Sequence, residues 1–147
     1  MTDEQLIAKA RAAAMRAYAP YSNFAVGCAI LSVDGEVVTG ANMENACYRL
    51  GVCAEISALT AAQARFGLAN IARIAVAGGD GSGSALTGAG TVTPCGGCRQ
   101  SILEAAQLSG RDVEILCASG AGKNFDCHPI SHLIPHGFGP ANLFDAG

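Results

Sequence analysis

Charge is scarce in this chain. Asp, Glu, Lys and Arg make up 14% of its 147 residues, and nine Lys plus Arg face twelve Asp plus Glu for a formal net charge of -3. There is no basic surface to attract a phosphate backbone, so no nucleic-acid partner is expected. Long apolar runs are also missing. Half the residues are hydrophobic, yet no stretch approaches the roughly 18 consecutive apolar residues of a membrane span, and no membrane association is expected. The start, Met1-Thr2-Asp3-Glu4, lacks the basic segment and apolar core of a secretory signal, which makes the cytoplasm the expected compartment. No internal repeat is present. The length suits one domain, residues 1–147.

Cysteine, by contrast, is plentiful: seven residues, which in a reducing compartment point to metal binding or packing before disulfides. The stretch that organises the chain is Pro94-Cys-Gly-Gly-Cys-Arg-Gln100. Two cysteines three apart at a helix start send two thiolates toward one point, and Cys53 supplies a third. A site with three protein ligands and one open position is the arrangement of catalytic zinc, where bound water is acidified into a nucleophile. Glu55, two residues past Cys53, is placed to move protons rather than to ligate.

The flanking elements follow from local signals. Thr2 and Gln5 form a capping-box pattern, and Leu6, Ile7, Ala10, Ala13, Ala14 and Ala17 recur at helical spacing up to Tyr18, with Pro20 beyond. From Phe24 the pattern becomes strand-like, and Asp34-Gly35 marks a hairpin whose second strand covers Glu36 to Asn42. A helix is expected from Cys53 to Phe66, closed by Gly67. A buried strand is expected over Ile71 to Ala77. The Gly/Ser-dominated run Gly78 to Gly90 reads as a mobile loop. A helix from Cys95 to Leu108, stopped by Gly110, precedes a strand from Val113 to Ala118. Beyond that the signals weaken to a short strand near Lys123 to Phe125 and a turn or helix around Ile130 to Leu133. The order gives an α/β domain with a mixed sheet and helices on its faces.

Both cysteine segments then lie at helix starts, where unpaired amides and the positive end of the dipole favour anions and lower thiol pKa. Three thiolates on one zinc still leave a net negative centre. Proton transfer by Glu55 would contribute about 100-fold to 10,000-fold in rate.

Cys53-Ala54-Glu55 followed by Pro94-Cys95-x-x-Cys98 resembles the zinc nucleoside deaminases. Tyr21-Ser22-x-Phe24-x-Val26-Gly27, Asn42-x-Glu44-Asn45-Ala46-x-Tyr48, Cys95-Gly-Gly-Cys98-Arg99-Gln100 and Leu133-Ile-Pro135-x-x-Phe138 are similar, in order and over nearly the whole chain, to the small three-cysteine, homotetrameric cytidine deaminases. The resemblance implies a three-layer α/β/α sandwich with about five strands. It implies hydrolytic deamination of cytidine or deoxycytidine in pyrimidine salvage. Cys53, Cys95 and Cys98 would hold one zinc per subunit, and Glu55 would shuttle the proton between water, N3 and the departing ammonia. Asn42 and Glu44 would hydrogen-bond the ribose, Phe24 would pack on the base, and the Ala54 backbone would contact it. Tyr48 and Phe138 would approach a neighbouring subunit's site.

Two positions depart from that pattern. The family often has arginine directly after the catalytic glutamate, offsetting the thiolate charge, where this chain has Ile56. Arg99, helix N-termini and cysteine-directed amides are then left to compensate. The Gly/Ser run before Pro94 is also several residues longer than usual, and a longer loop beside the site would widen or cover the pocket. These departures keep open the same zinc chemistry on an N4-substituted or otherwise modified cytosine nucleoside, or on a blasticidin-like aminopyrimidine. A zinc-stabilised structural homologue is the non-enzymatic alternative; Glu55 speaks against it, because a structural site needs no general acid/base. A thioredoxin-like role for Cys95 and Cys98 is disfavoured because a dithiol needs neither Cys53 nor Glu55. Cys28, Cys47, Cys117 and Cys127 read as packing residues. His128, His132 and His136 read as surface or packing residues.

Overall fold

The structure is a computed structural model and is described for residues 1–144. Helix α1 (Asp3–Ala14) starts at the expected capping box, with the Thr2 hydroxyl and the Gln5 side chain exchanging backbone contacts. It ends four residues before Tyr18. There the chain is drawn into an isolated bridge with Met43, and the Tyr18 amide donates to the Asn42 carbonyl at 3.0 Å instead of to a helical partner.

Strands β1 (Phe24–Ser32) and β2 (Val37–Ala41) form the hairpin around Asp34-Gly35, with Gly35 at φ 88°. Helix α2 (Ala54–Arg65) ends in a turn in which Gly67 takes φ 84°. Strand β3 (Ile71–Asp80), helix α3 (Gly96–Ser109) and strand β4 (Glu114–Ser119) follow, and Gly110 at φ 69° caps α3 in the left-handed conformation that glycine adopts without strain. The last strand, β5 (Phe125–Pro129), begins where the Lys123 to Phe125 expectation ended. Short helices α4 (Ile130–Leu133) and α5 (Pro140–Phe144) complete the described chain.

The sheet order is β2-β1-β3-β4-β5, antiparallel throughout except for the parallel β3–β4 pair, with α3 lying in the connection between those two strands. Alternate residues of the central strands serve opposite faces. Cys28, Ile30, Ile74, Val76, Ile115 and Cys117 join the core beneath α2 and α3, whereas Ala29, Ala75, Ala77, Leu116 and Ala118 meet Leu6, Ile7 and Ala10 of α1. The result is the expected three-layer α/β/α arrangement. Large side chains fill the two-helix side and alanines the α1 side, so α1 lies close to the sheet.

One close approach fixes α2. A Cβ on Gly40 would lie 2.5 Å from the Ala58 amide nitrogen and 2.9 Å from the Ala54 carbonyl. The missing side chain on β2 is what lets α2 settle at the height that its first residues require.

The Gly/Ser run is tied down, contrary to the expectation of a mobile loop. Asp80 and Thr87 exchange two backbone hydrogen bonds at 2.9 and 3.0 Å, and the Gly81 amide donates to Asn23. Leu86 is buried against Ala14 and Ala25. The Thr87 carbonyl occupies the space where a Cβ of Gly79 or Gly120 would stand. The glycines of this run and of its neighbour serve contact, and one leucine anchors the loop beside α1.

Candidate metal centre and adjoining cleft

Two helix starts converge at the site. Cys53 is the N-cap of α2, Cys95 is the N-cap of α3, and Cys98 lies in the first turn of α3. Their three sulfur atoms all lie within 4.8 Å of one another, with Cys53 Sγ and Cys95 Sγ 3.9 Å apart. A tetrahedral zinc with Zn–S bonds of about 2.3 Å requires sulfurs about 3.8 Å apart. The donor set therefore fits zinc in chemistry and in spacing. Among the described residues this is the one group of three or more Cys, His, Asp or Glu side chains so arranged.

Cys98 is buried, while Cys53 and Cys95 open to solvent. The environment treats the thiols differently. The Cys98 amide, first among several contacts that include the Gly97 amide, holds the Cys95 thiol below its ordinary pKa, the effect expected of a helix N-terminus. Burial pushes Cys53 up, and burial together with the charge of Glu55 pushes Cys98 up strongly. Zinc requires thiolates, so its binding releases the Cys98 proton.

Glu55 is 4% exposed in the first turn of α2. Burial raises its pKa. Its Oε2 accepts a hydrogen bond from Cys98 Sγ at 3.4 Å, so the carboxylate is aimed at the metal group without belonging to it.

A cleft of about 220 Å³ opens at this point, lined by Phe24, Val26, Asn42, Cys53, Ala54, Glu55, Val92, Thr93 and Cys95. The structure thus gathers Phe24, Asn42, Ala54 and Glu55 around two of the three thiols. Glu44 and Tyr48 line a neighbouring hollow of about 340 Å³ with Tyr21, Ser22, Asn45 and Gly51. Phe138 is 61% exposed and lines neither. Val26, Val92 and Thr93 are cleft residues that carried no assigned role in the sequence. Their signal was position alone: Val26 follows Phe24 by two in the strand, and Val92-Thr93 precede Pro94.

Asn42 and Glu44 are both engaged with the backbone. Asn42 Oδ1 accepts from the Val26 amide and its Nδ2 donates to the Phe24 carbonyl, each at 2.9 Å, which leaves one side-chain N–H to spare. Glu44 accepts from the amides of Tyr21 and Ser22 and from Ser22 Oγ at 2.6 Å; the hydroxyl, first among these, holds its carboxyl below the ordinary value.

The remaining cysteines divide by position. Cys28 and Cys117 are buried packing residues, but Cys47 and Cys127 are exposed and pack little, because they fall in the irregular segment before η1 (Tyr48–Leu50) and on the edge strand β5. Ile56 faces away from the thiols into a groove between α2 and α3, beside Leu59 and Gln100. Arg99 does not offset thiolate charge by contact: its three hydrogen bonds all end on oxygen.

Residues 1–109 match the family model described as "Cytidine and deoxycytidylate deaminase zinc-binding region". The chain belongs to that family. A cytidine deaminase of Halalkalibacterium halodurans is 36% identical over 145 residues, covering 99% of this chain and 100% of that protein. One from Mycobacterium tuberculosis H37Rv is 48% identical over 92 residues, 63% of this chain and 62% of that protein's length. Among solved structures, the cytidine deaminase of Burkholderia pseudomallei superimposes with a TM-score of 0.79 at 38% identity, covering 94% of this chain and 100% of the other. That of M. tuberculosis gives 0.72 at 34% identity, over 95% and 99%. The deaminase fold and its zinc-binding region are therefore present in this member from α1 through α3.

Proposed function

We infer that this protein is a zinc-dependent cytidine deaminase, a hydrolase converting cytidine and deoxycytidine to uridine and deoxyuridine plus ammonia. The observation that carries the reading is the placement of buried Glu55 between the three-thiol group and a cleft sized for a single heterocycle. The family membership and the full-length similarity to cytidine deaminases support it.

Cys53, Cys95 and Cys98 hold the zinc, which when bound supplies an acidified water as the nucleophile. Glu55 does the proton work. Its carboxylate would take one proton of the entering water and deliver it at N3 of the base, then take the remaining proton from the hydroxyl now on C4 and deliver it to the amino group. One water enters, the C4–N bond breaks, C4 becomes a carbonyl and ammonia leaves. Burial raises the proton affinity of Glu55, which suits a group that must hold a proton between two transfers.

Phe24 supplies the apolar wall for the base, and the Ala54 backbone lies at the start of α2 where amides lack helical partners. The spare N–H of Asn42 and the acceptor oxygens of Glu44 serve the sugar hydroxyls, Glu44 from the adjoining hollow. Their existing backbone bonds fix both side chains before substrate arrives.

Large apolar side chains on the surface support assembly as a homotetramer: Tyr18, Tyr21, Met43, Tyr48, Leu50 and Phe138 are all about half exposed or more. Tyr48 and Phe138 would then complete a neighbour's site. No described helix is long and apolar enough to cross a membrane. A cytoplasmic role in pyrimidine salvage, in one catalytic domain, fits the activity.

The test is to incubate zinc-loaded protein with cytidine, deoxycytidine, cytosine and N4-substituted or ring-modified cytosine nucleosides, beside Glu55→Ala. Uridine formation that vanishes in the variant supports the reading. Turnover of modified compounds alone would move the substrate and keep the chemistry, and zinc-loaded protein inert on every compound would remove the enzymatic reading.

A further inference from the structure

Arg99 occupies the second turn of α3, four residues after the N-cap Cys95, whose carbonyl accepts its amide at 2.9 Å. Its guanidinium reaches three places. Nε donates to the Pro94 carbonyl at 2.8 Å, Nη1 to the Leu133 carbonyl at 2.9 Å and Nη2 to Thr93 Oγ1 at 3.3 Å. Pro94 is buried and leads into Cys95, Thr93 lines the cleft, and Leu133 ends α4. The next residue repeats the pattern: Gln100 Nε2 donates to the Phe138 carbonyl at 2.6 Å. No carboxylate lies within ion-pair distance of Arg99 among the described residues. Its charge is thus satisfied by carbonyl and hydroxyl oxygens alone, which is an arrangement for fixing backbone.

We propose that Arg99 is a positioning residue that locks the cleft wall at Thr93 and the backbone before Cys95 onto the segment from Leu133 to Phe138. The assignment rests on the zinc reading of the site above. A planar fork with donors in fixed directions can hold three segments at once, whereas a lysine, a compact charge on a flexible stem, cannot. Without the fork, the Pro94 carbonyl and the Thr93 hydroxyl lose their common partner, and Cys95 loses the backbone that aims its sulfur. Groups that orient metal ligands typically contribute about 10-fold to 100-fold in metal affinity or activity. Gln100 extends the lock to Phe138, so the cleft wall and the C-terminal segment move together.

The experiment compares wild type, Arg99→Lys, Arg99→Met and Gln107→Ala as full-length zinc proteins. Gln107 accepts from the Ala141 amide and tethers the C-terminal segment far from the metal. Zinc transfer to a chromogenic chelator is read alongside KM and kcat for cytidine. Both Arg99 variants are expected to hold zinc about 10-fold to 100-fold more weakly, with kcat/KM lowered to match, and Gln107→Ala is expected to retain wild-type zinc affinity. Wild-type zinc retention in Arg99→Lys would overturn the proposal, because charge alone would then suffice. Equal loss in Gln107→Ala would overturn it too, since any loosening of the tail would have the same effect. If Arg99→Met fails to fold, Arg99→Lys carries the test, since it keeps the charge and the apolar stem. Zinc transfer needs no substrate, so a wild-type protein inert on cytidine would refute cytidine as the substrate and leave the Arg99 result standing.

Discussion

Glu55 and Cys98 meet in the interior, carboxylate oxygen to thiol sulfur at 3.4 Å, each from the first turn of a different helix. The proposed proton carrier and one sulfur of the three-thiol group are thereby held against each other by α2 and α3 themselves. Replacing Glu55 with Gln keeps the shape and removes the exchangeable charge. Turnover of cytidine is expected to fall by about 100-fold to 10,000-fold while zinc content stays at one per chain, checked by metal analysis beside steady-state kinetics.

Thiol labelling should follow the structure in three stages. In the zinc-loaded protein, Cys127 on the edge strand β5 is open to an alkylating reagent, and chelation adds Cys53 and Cys95. Cys28 and Cys117 should label only after denaturation, being buried and with thiols pushed well above the ordinary value, Cys117 to about 12. Peptide mass mapping reads the order; early labelling of Cys28 would contradict the packing described.

Gly40 carries a prediction about stability and site together. Gly40→Ala puts a Cβ 2.5 Å from the Ala58 nitrogen, and backbone must move to relieve it. A loss of about 1–3 kcal/mol is expected from such overpacking, with weaker zinc retention because α2 carries Cys53 at its start. Denaturant unfolding of the zinc-free protein separates the two effects.

The pH dependence of binding should trace Glu44. Its carboxyl is held below the ordinary value by Ser22, so its charged, accepting form persists above that value and is lost only as pH falls through the lowered pKa. Ser22→Ala removes the largest cause and raises the pKa toward ordinary. The acid limb of KM for cytidine should therefore move to higher pH in Ser22→Ala, with kcat little changed. An unmoved limb would mean that Glu44 does not touch the sugar.

Local signals carried much of this architecture. The Thr2–Gln5 capping box, the Asp34-Gly35 turn, the positive-φ Gly67 and the left-handed Gly110 are properties of a few adjacent residues, and each stands where the sequence placed it. The two cysteine-bearing helix starts were legible for the same reason. What failed depended on distant partners. Nothing within Gly78 to Gly90 announces that Leu86 will find Ala14 and Ala25, or that Gly79 and Gly120 will admit the Thr87 carbonyl. Strand β5 was misplaced because it is an edge strand of mixed polarity that ends in Pro129, and its pairing with β4 supplies the order that its composition lacks. The end of α1 was overrun because Ala17 and Tyr18 keep the helical spacing while Asn42 and Met43 claim the Tyr18 backbone. Arg99 was one of three groups left to offset the thiolate charge; in the fold its donors end on oxygen.

The most direct test of the central claim is a zinc titration of metal-free protein with cytidine as substrate. Uridine production should rise in proportion to added zinc, level off at one zinc per chain, and be absent at every zinc level in Glu55→Gln. Full activity without zinc, or a plateau in Glu55→Gln equal to that of wild type, would contradict the three-thiol centre with Glu55 as its proton carrier.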